Sequence, residues 1–209
     1  SVLPAPSADA HTQQFQLKQL FSNGYFKITL RLWAAYFFIM FGVYFVMSWT
    51  PKLLVHAGLS DAQGITAGIL ISVGGIFGAI IFGYLSSKFA FKKIQIAFFT
   101  LSALVMFLFV GVLDSLSIAF AVAIVLGLLV NGSIASLYAT APVSYPASCR
   151  ATGVGYAIGM GRAGAIVSPL MAGYFLDASW ETSQLYGFFA LAFVIAIFVV
   201  IGLRKNLAH

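Results

Sequence analysis

Arg162 is a charge where charge is expensive. It lies in the stretch Tyr145–Pro169, YPASCRATGVGYAIGMGRAGAIVSP, among Gly153, Gly155, Gly159, Gly161 and Gly164. Roughly twelve residues into an apolar helix, at 1.5 Å per residue, it stands about 18 Å along the axis, near mid-membrane. Insertion scales put arginine there at roughly 2.5–3.5 kcal/mol, so it needs a compensating partner. Three roles are open: ligand for an anion, structural partner of an acid elsewhere, or a charge that snorkels to the surface. Depth and glycine flanks disfavour snorkelling. The planar guanidinium fork matches a carboxylate in a way that a lysine ammonium does not, which favours an anion pathway.

Further polar groups interrupt other apolar runs. Tyr36, Tyr44 and Ser48 share one run, with Tyr44 and Ser48 on one face at i, i+4. Asn131 and Tyr138, seven apart, lie roughly on one face of another, beside Ser133 and Ser136. Each tyrosine has two readings: ligand contact, or helix packing with a satisfied hydroxyl. A bare amide facing lipid is costly, so Asn131 is expected to face inward. Asp, Glu and His stay out of the apolar runs, with His11, His56 and His209 outside or at an edge. A proton relay needs a titratable group in the membrane, so no residue of this chain can be assigned that task. H-E-x-x-H and G-x-S-x-G are both missing, and a membrane enzyme fits worst. Cys149 is the single cysteine, which rules out an internal disulfide and the zinc spacings, and no cofactor or metal is implied.

The elements that must hold these residues follow from composition. The chain of 209 residues is 61% hydrophobic and 8% charged, with mean hydropathy +1.01, a profile that predicts an all-α polytopic membrane protein. Its net charge of +6 sits in short clusters between apolar runs, which points to membrane topology and excludes nucleic acid as a partner. Six spans are expected, at about 32–54, 64–85, 94–113, 118–141, 151–176 and 185–203. The β-branched run Val194–Ile201 does not suggest a strand, because an open sheet edge cannot be satisfied in lipid. Residues 1–26 form a polar linker, in which Phe15, Leu17, Leu20 and Phe21 make either a surface-lying amphipathic piece or scattered turn residues; 206–209 are a short tail. Without an initial Met or a signal peptide, the sequence reads as a fragment or a processed piece.

Charge sets the expected orientation. Lys18, Lys27, Arg31, Lys88, Lys92, Lys93, Arg150, Arg204 and Lys205 fall on one side; the other has Lys52 with Asp61, Asp114, Asp177 and Glu181. The positive-inside rule then makes both termini cytoplasmic and puts Cys149 in an accessible cytoplasmic loop. A weak symmetry runs through the six segments. Gly74-x-x-x-Gly78 in the second matches Gly155-x-x-x-Gly159 in the fifth. This is either a pair of ordinary packing motifs or the trace of two inverted three-helix repeats.

The loop Gly83-Tyr84-Leu85-Ser86-Ser87-Lys88-Phe89-Ala90-Phe91-Lys92-Lys93 resembles the signature between helices eight and nine of the major facilitator superfamily. Gly83, Lys88, Lys92 and Lys93 match its spacing; Ser87 replaces the acid and Ala90 the glycine, which weakens any gating salt bridge centred on that acid. Such a loop offers a close-packed glycine and cations for helix C-termini or anionic lipid, although an ordinary positive-inside loop would look similar. Leu20-Phe21-Ser22, Thr29–Trp33, Trp49-Thr50-Pro51 and the stretch containing Arg150, Gly161-Arg162 and Pro169 are similar to helices seven and eleven of the aromatic acid/proton symporters. The resemblance implies helices seven to twelve of a twelve-helix transporter. Its substrate would be an aromatic carboxylate of the benzoate or hydroxybenzoate type, carried with protons across a bacterial inner membrane. The first and fourth spans would line its cavity, making Asn131, Tyr138, Tyr44, Tyr36 and Ser48 candidate ligands beside Arg162 of the fifth span. The partner would be an N-terminal six-helix half carrying the acids. A membrane scaffold or receptor-like protein that kept the half-fold is the alternative: an arginine facing a cavity speaks for transport, one paired wholly within the bundle for the scaffold.

Overall fold

The computed structural model describes residues 20–21, 24–56, 58–109, 111 and 116–203. The expected amphipathic piece at Phe15 and Leu17, together with Lys18, Ser22, Leu113, Asp114, Ser115, Arg204, Lys205 and the tail 206–209, lies outside those residues. Six helices follow one another: α1 (Phe26–His56), α2 (Asp61–Lys88), α3 (Phe91–Phe109), α4 (Leu116–Val143), α5 (Arg150–Asp177) and α6 (Thr182–Ile201). They occupy the six apolar segments, and all but α3 and α6 overrun their segment at both ends. Helix is the form that satisfies every backbone group within one segment, as a bilayer requires.

Five of the six are long and apolar enough to cross a membrane. The exception, α5, is long enough at 28 residues, but six glycines, Arg162, Ser168 and Pro169 dilute its apolar content. The chain is a multi-pass, all-helical membrane protein.

Local chemistry marks the helix starts and turns. Ser60 Oγ accepts from the Gln63 amide at 3.3 Å and Gln63 Oε1 accepts from the Ser60 amide at 2.9 Å, a reciprocal cap that starts α2. Glu181 and Gln184 start α6 in the same way. Between α1 and α2, Gly58 has φ of 103°, a backbone conformation that side chains rarely tolerate.

Lipid is as apolar as leucine, so helices in it associate through close contact and polar bonds. The seam of α2 with α4 is built from small residues. Side chains added at Gly74 and Gly78 would run into the Ile124 and Leu128 carbonyls, and one at Gly127 into the Ile71 carbonyl. In α5 the buried stripe is Gly153, Ala157, Gly161, Gly164, Ser168 and Ala172, at helical spacing, with Gly164 against the Phe37 carbonyl of α1. Gly155 and Gly159 are a correction to the sequence reading: both are exposed, with open space where a Cβ would stand. Arg162, Ile166 and Leu170 continue their stripe, half a turn from the packing one.

The remaining seams use rings and hydroxyls. Phe45 stacks on Phe189 at 4.0 Å between α1 and α6, and Thr50 Oγ1 lies 2.6 Å from the Tyr186 hydroxyl. Buried Gln95 of α3 donates to Ser136 Oγ and Thr140 Oγ1 of α4, each at 3.1 Å. Ser102 and Ser133 meet at 3.3 Å two turns along α3. Thus α1 touches α2, α4, α5 and α6, and is the post of the bundle.

Candidate functional site

The α1–α5 seam places Arg162 on the open side of the bundle. Gly161 packs against Tyr36 and Gly164 against the α1 backbone, so the residue between them turns outward and is exposed. Its Nη1 donates to the Tyr44 hydroxyl of α1 at 2.6 Å. The described acids Asp61, Asp177 and Glu181 all stand at helix ends; Asp177, fifteen residues further along the same helix, is about 22 Å away by helical rise. Arg162 is therefore held by a neutral hydroxyl, and among the described residues no carboxylate stands beside it. Ser48, one turn beyond Tyr44, is exposed on α1.

The other candidates separate. Tyr36, grouped with the ligand contacts from its residue type, is fully buried, and its hydroxyl donates to the Leu137 carbonyl at 2.9 Å. It acts from below: its ring meets the Tyr138 ring edge-on at 5.9 Å, and Tyr138 is 39% exposed. Asn131 is half-buried, donates to the Gly127 carbonyl at 3.1 Å and lies against Gly75 of α2. It belongs to the α2–α4 seam more than to an open face. Ser133 and Ser136 point to α3, into the seam with Ser102 and Gln95. The sequence signal of that seam is Gln95 in an apolar helix with hydroxyls at 133, 136, 140 and 144.

Along the open stripe of α5, Thr152, Gly155, Tyr156 and Gly159 line a shallow groove of about 390 Å³. Trp33 of α1 stacks on Tyr156 at 6.2 Å beside it.

The loop motif resolves into separate jobs. Lys92 Nζ donates to the Ile201 and Leu203 carbonyls, 2.8 Å each, and Arg31 of α1 donates to the Gly202 carbonyl. Two cations thus satisfy carbonyls that the end of α6 leaves without helical partners. Lys88 lies over the Tyr84 ring at 4.5 Å, and Lys93 is exposed. Gly83, expected to be close-packed, has open space around it. Arg150 Nε donates to the Tyr145 carbonyl at 3.4 Å. The Tyr145 hydroxyl donates to Thr29 Oγ1 at 3.2 Å, joining the α4–α5 loop to α1. Burial pushes both the Tyr145 hydroxyl and the Cys149 thiol above their ordinary pKa. Cys149 is only 1% exposed, so the accessible thiol expected of this loop is not there.

This arrangement can be set beside known proteins. The profile of the Major Facilitator Superfamily matches residues 32–208. The chain belongs to the major facilitator superfamily. It is 32% identical over 203 residues to the 4-hydroxybenzoate transporter PcaK of Acinetobacter baylyi, covering 94% of this chain and 44% of that protein. The gallate transporter of Pseudomonas putida is 33% identical over 185 residues, covering 88% and 41%. The 3-(3-hydroxy-phenyl)propionate transporter of Escherichia coli is 30% identical over 194 residues, covering 91% and 48%. These relatives are aromatic acid transporters, not enzymes, and the chain spans about half of their length.

Proposed function

We propose that this chain is the C-terminal half of a secondary transporter that takes up an aromatic carboxylate of the benzoate or hydroxybenzoate type with protons. Arg162 is the observation that carries the reading: a guanidinium at mid-helix with no acidic partner among the described residues, on the open stripe of α5, in a chain similar to transporters of aromatic acids. A carboxylate supplies the charge and the planar acceptor pair that the fork lacks. Tyr138 offers a partly open ring face for the aromatic part, and Tyr44 and Ser48 are polar groups about two to three turns along α1 from its neighbour Tyr36.

The two-bundle rocking mechanism suits this half. The second helix of each three-helix unit lies along the first helix of the other, α2 on α4 and α5 on α1; the third packs likewise, α3 on α4 and α6 on α1. This reciprocity supports two inverted repeats. The basic residues at one end of the bundle support cytoplasmic termini in a bacterial inner membrane. Proton binding falls to acids of a partner half, since Asp61, Asp177 and Glu181 lie at helix ends. The scaffold alternative is disfavoured by the relatives and by an arginine without an acidic partner among the described residues.

The test is uptake. Co-expression of the chain with a matching six-helix N-terminal half should give concentrative accumulation of labelled 4-hydroxybenzoate, abolished by a protonophore. The chain alone should insert without accumulating it. Concentrative uptake by the chain alone would defeat the half-transporter reading.

A further inference from the structure

The bond between Tyr44 and Arg162 has a direction, and the direction limits what the pair can bind. A guanidinium only donates, so the Tyr44 oxygen accepts at 2.6 Å. A phenol that accepts still carries its own proton, and among the described residues the bond to Arg162 is the one hydrogen bond of this hydroxyl. One arginine N–H is spent on the tether; the others remain on an exposed side chain. Every polar hydrogen that the pair offers outward is therefore a donor.

The tether also removes freedom. An untethered arginine has rotamer entropy to lose when it is ordered. A fork already held at one nitrogen has less to lose when a ligand arrives. Tyr44 is half-buried in α1, whose backbone packs against Gly164 of α5, so the tether joins two helices that are already fixed to each other.

We propose that Tyr44 and Arg162 form a donor-only receptor for an ionised carboxylate, in which Tyr44 positions the guanidinium and donates its own O–H hydrogen bond to the bound anion. An ionised carboxylate is acceptor-only and complements such a site. An alcohol, an amide or a neutral acid brings a hydrogen that finds no acceptor in the pair and leaves a donor unmet. The proposal rests on the reading that the open stripe of α5 lines the substrate pathway, and it adds which form of the ligand is taken and by which second residue.

The experiment uses the transporter assembled from this chain and its other half, in nanodiscs, with benzoate and benzyl alcohol as probes. Wild type and Tyr44→Phe are compared by calorimetry. Phenylglyoxal modification of Arg162 is followed by peptide mass spectrometry, with Arg150 as internal reference. Tyr44→Phe should lose benzoate affinity by roughly tenfold or more and change benzyl alcohol by less than about twofold. Its Arg162 should react faster, while Arg150 keeps its rate. Benzoate should protect Arg162 in the wild type, a readout that needs no variant. Unchanged benzoate affinity with an unchanged Arg162 rate in Tyr44→Phe would overturn the proposal. Binding of benzoate by the wild type without protection of Arg162 would overturn the receptor and leave the transport reading standing. A wild type that binds no aromatic acid would overturn both.

Discussion

At the scale of the residue, Arg162 is tethered by a hydroxyl and, among the described residues, by no carboxylate. A buried ion pair would have cancelled its charge; the Tyr44 hydroxyl instead orients it and leaves the charge in place. Arg162→Lys keeps the charge and loses the fork, so aromatic acid binding should weaken by about 1–3 kcal/mol at unchanged expression. Arg162→Ala should abolish binding, with calorimetry on reconstituted transporter as the measurement. Near-wild-type affinity in the lysine variant, together with lost folding in the alanine variant, would make the residue structural. Tyr36 and Tyr138 make the complementary point. They are chemically identical, and one is sealed in the core while the other keeps its ring partly open.

At the scale of the element, glycine has two different uses in the same sequence pattern. Gly78 lets two backbones touch, because any side chain there meets the Leu128 carbonyl, which cannot move aside alone. Gly155 meets nothing. Gly78→Ala should therefore lower stability by about 1–3 kcal/mol, the usual range for overpacking. Gly155→Ala should leave the stability of the bundle unchanged or raise it by up to about 1 kcal/mol, through better helix propensity. Thermal unfolding in detergent compares them, and equal losses would refute the assignment of the α2–α4 seam. Lys92 and Arg31 are matched in the same sense: cations from two helices reach the end of a third.

At the scale of the whole molecule, orientation is open to a chemical probe, though Cys149 is a poor one. The thiolate is the reactive form, and a thiol whose pKa is raised by burial holds less of it at neutral pH than a free cysteine does. Cys149 should react slowly with an impermeant maleimide from either side at pH 7, and faster as the pH rises toward that pKa. Ser87→Cys in a Cys149→Ser background offers an exposed position in the α2–α3 motif. It should label in inside-out vesicles and stay unlabelled in intact spheroplasts. Labelling from the outside would reverse the orientation and the transport direction read from it.

Composition and local pattern were enough for the membrane class, the six helices and the superfamily. Each depends on residues counted along the chain against the thickness of a bilayer, or on a motif within one loop. Which side of each helix packs was decided by the tertiary structure. In water, a polar face marks the outside of a helix; in lipid the outside is as apolar as the core, and that signal disappears. Hence Gly155-x-x-x-Gly159 read like a packing motif although Gly161 and Gly164 do the packing, and Tyr36 read like a ligand contact although its side chain is buried between α1 and α4. The partner of Arg162 was hidden for the same reason. Tyr44 lies 118 positions away on another helix, and the close approach of α5 to α1 at Gly164 is what brings the two side chains together.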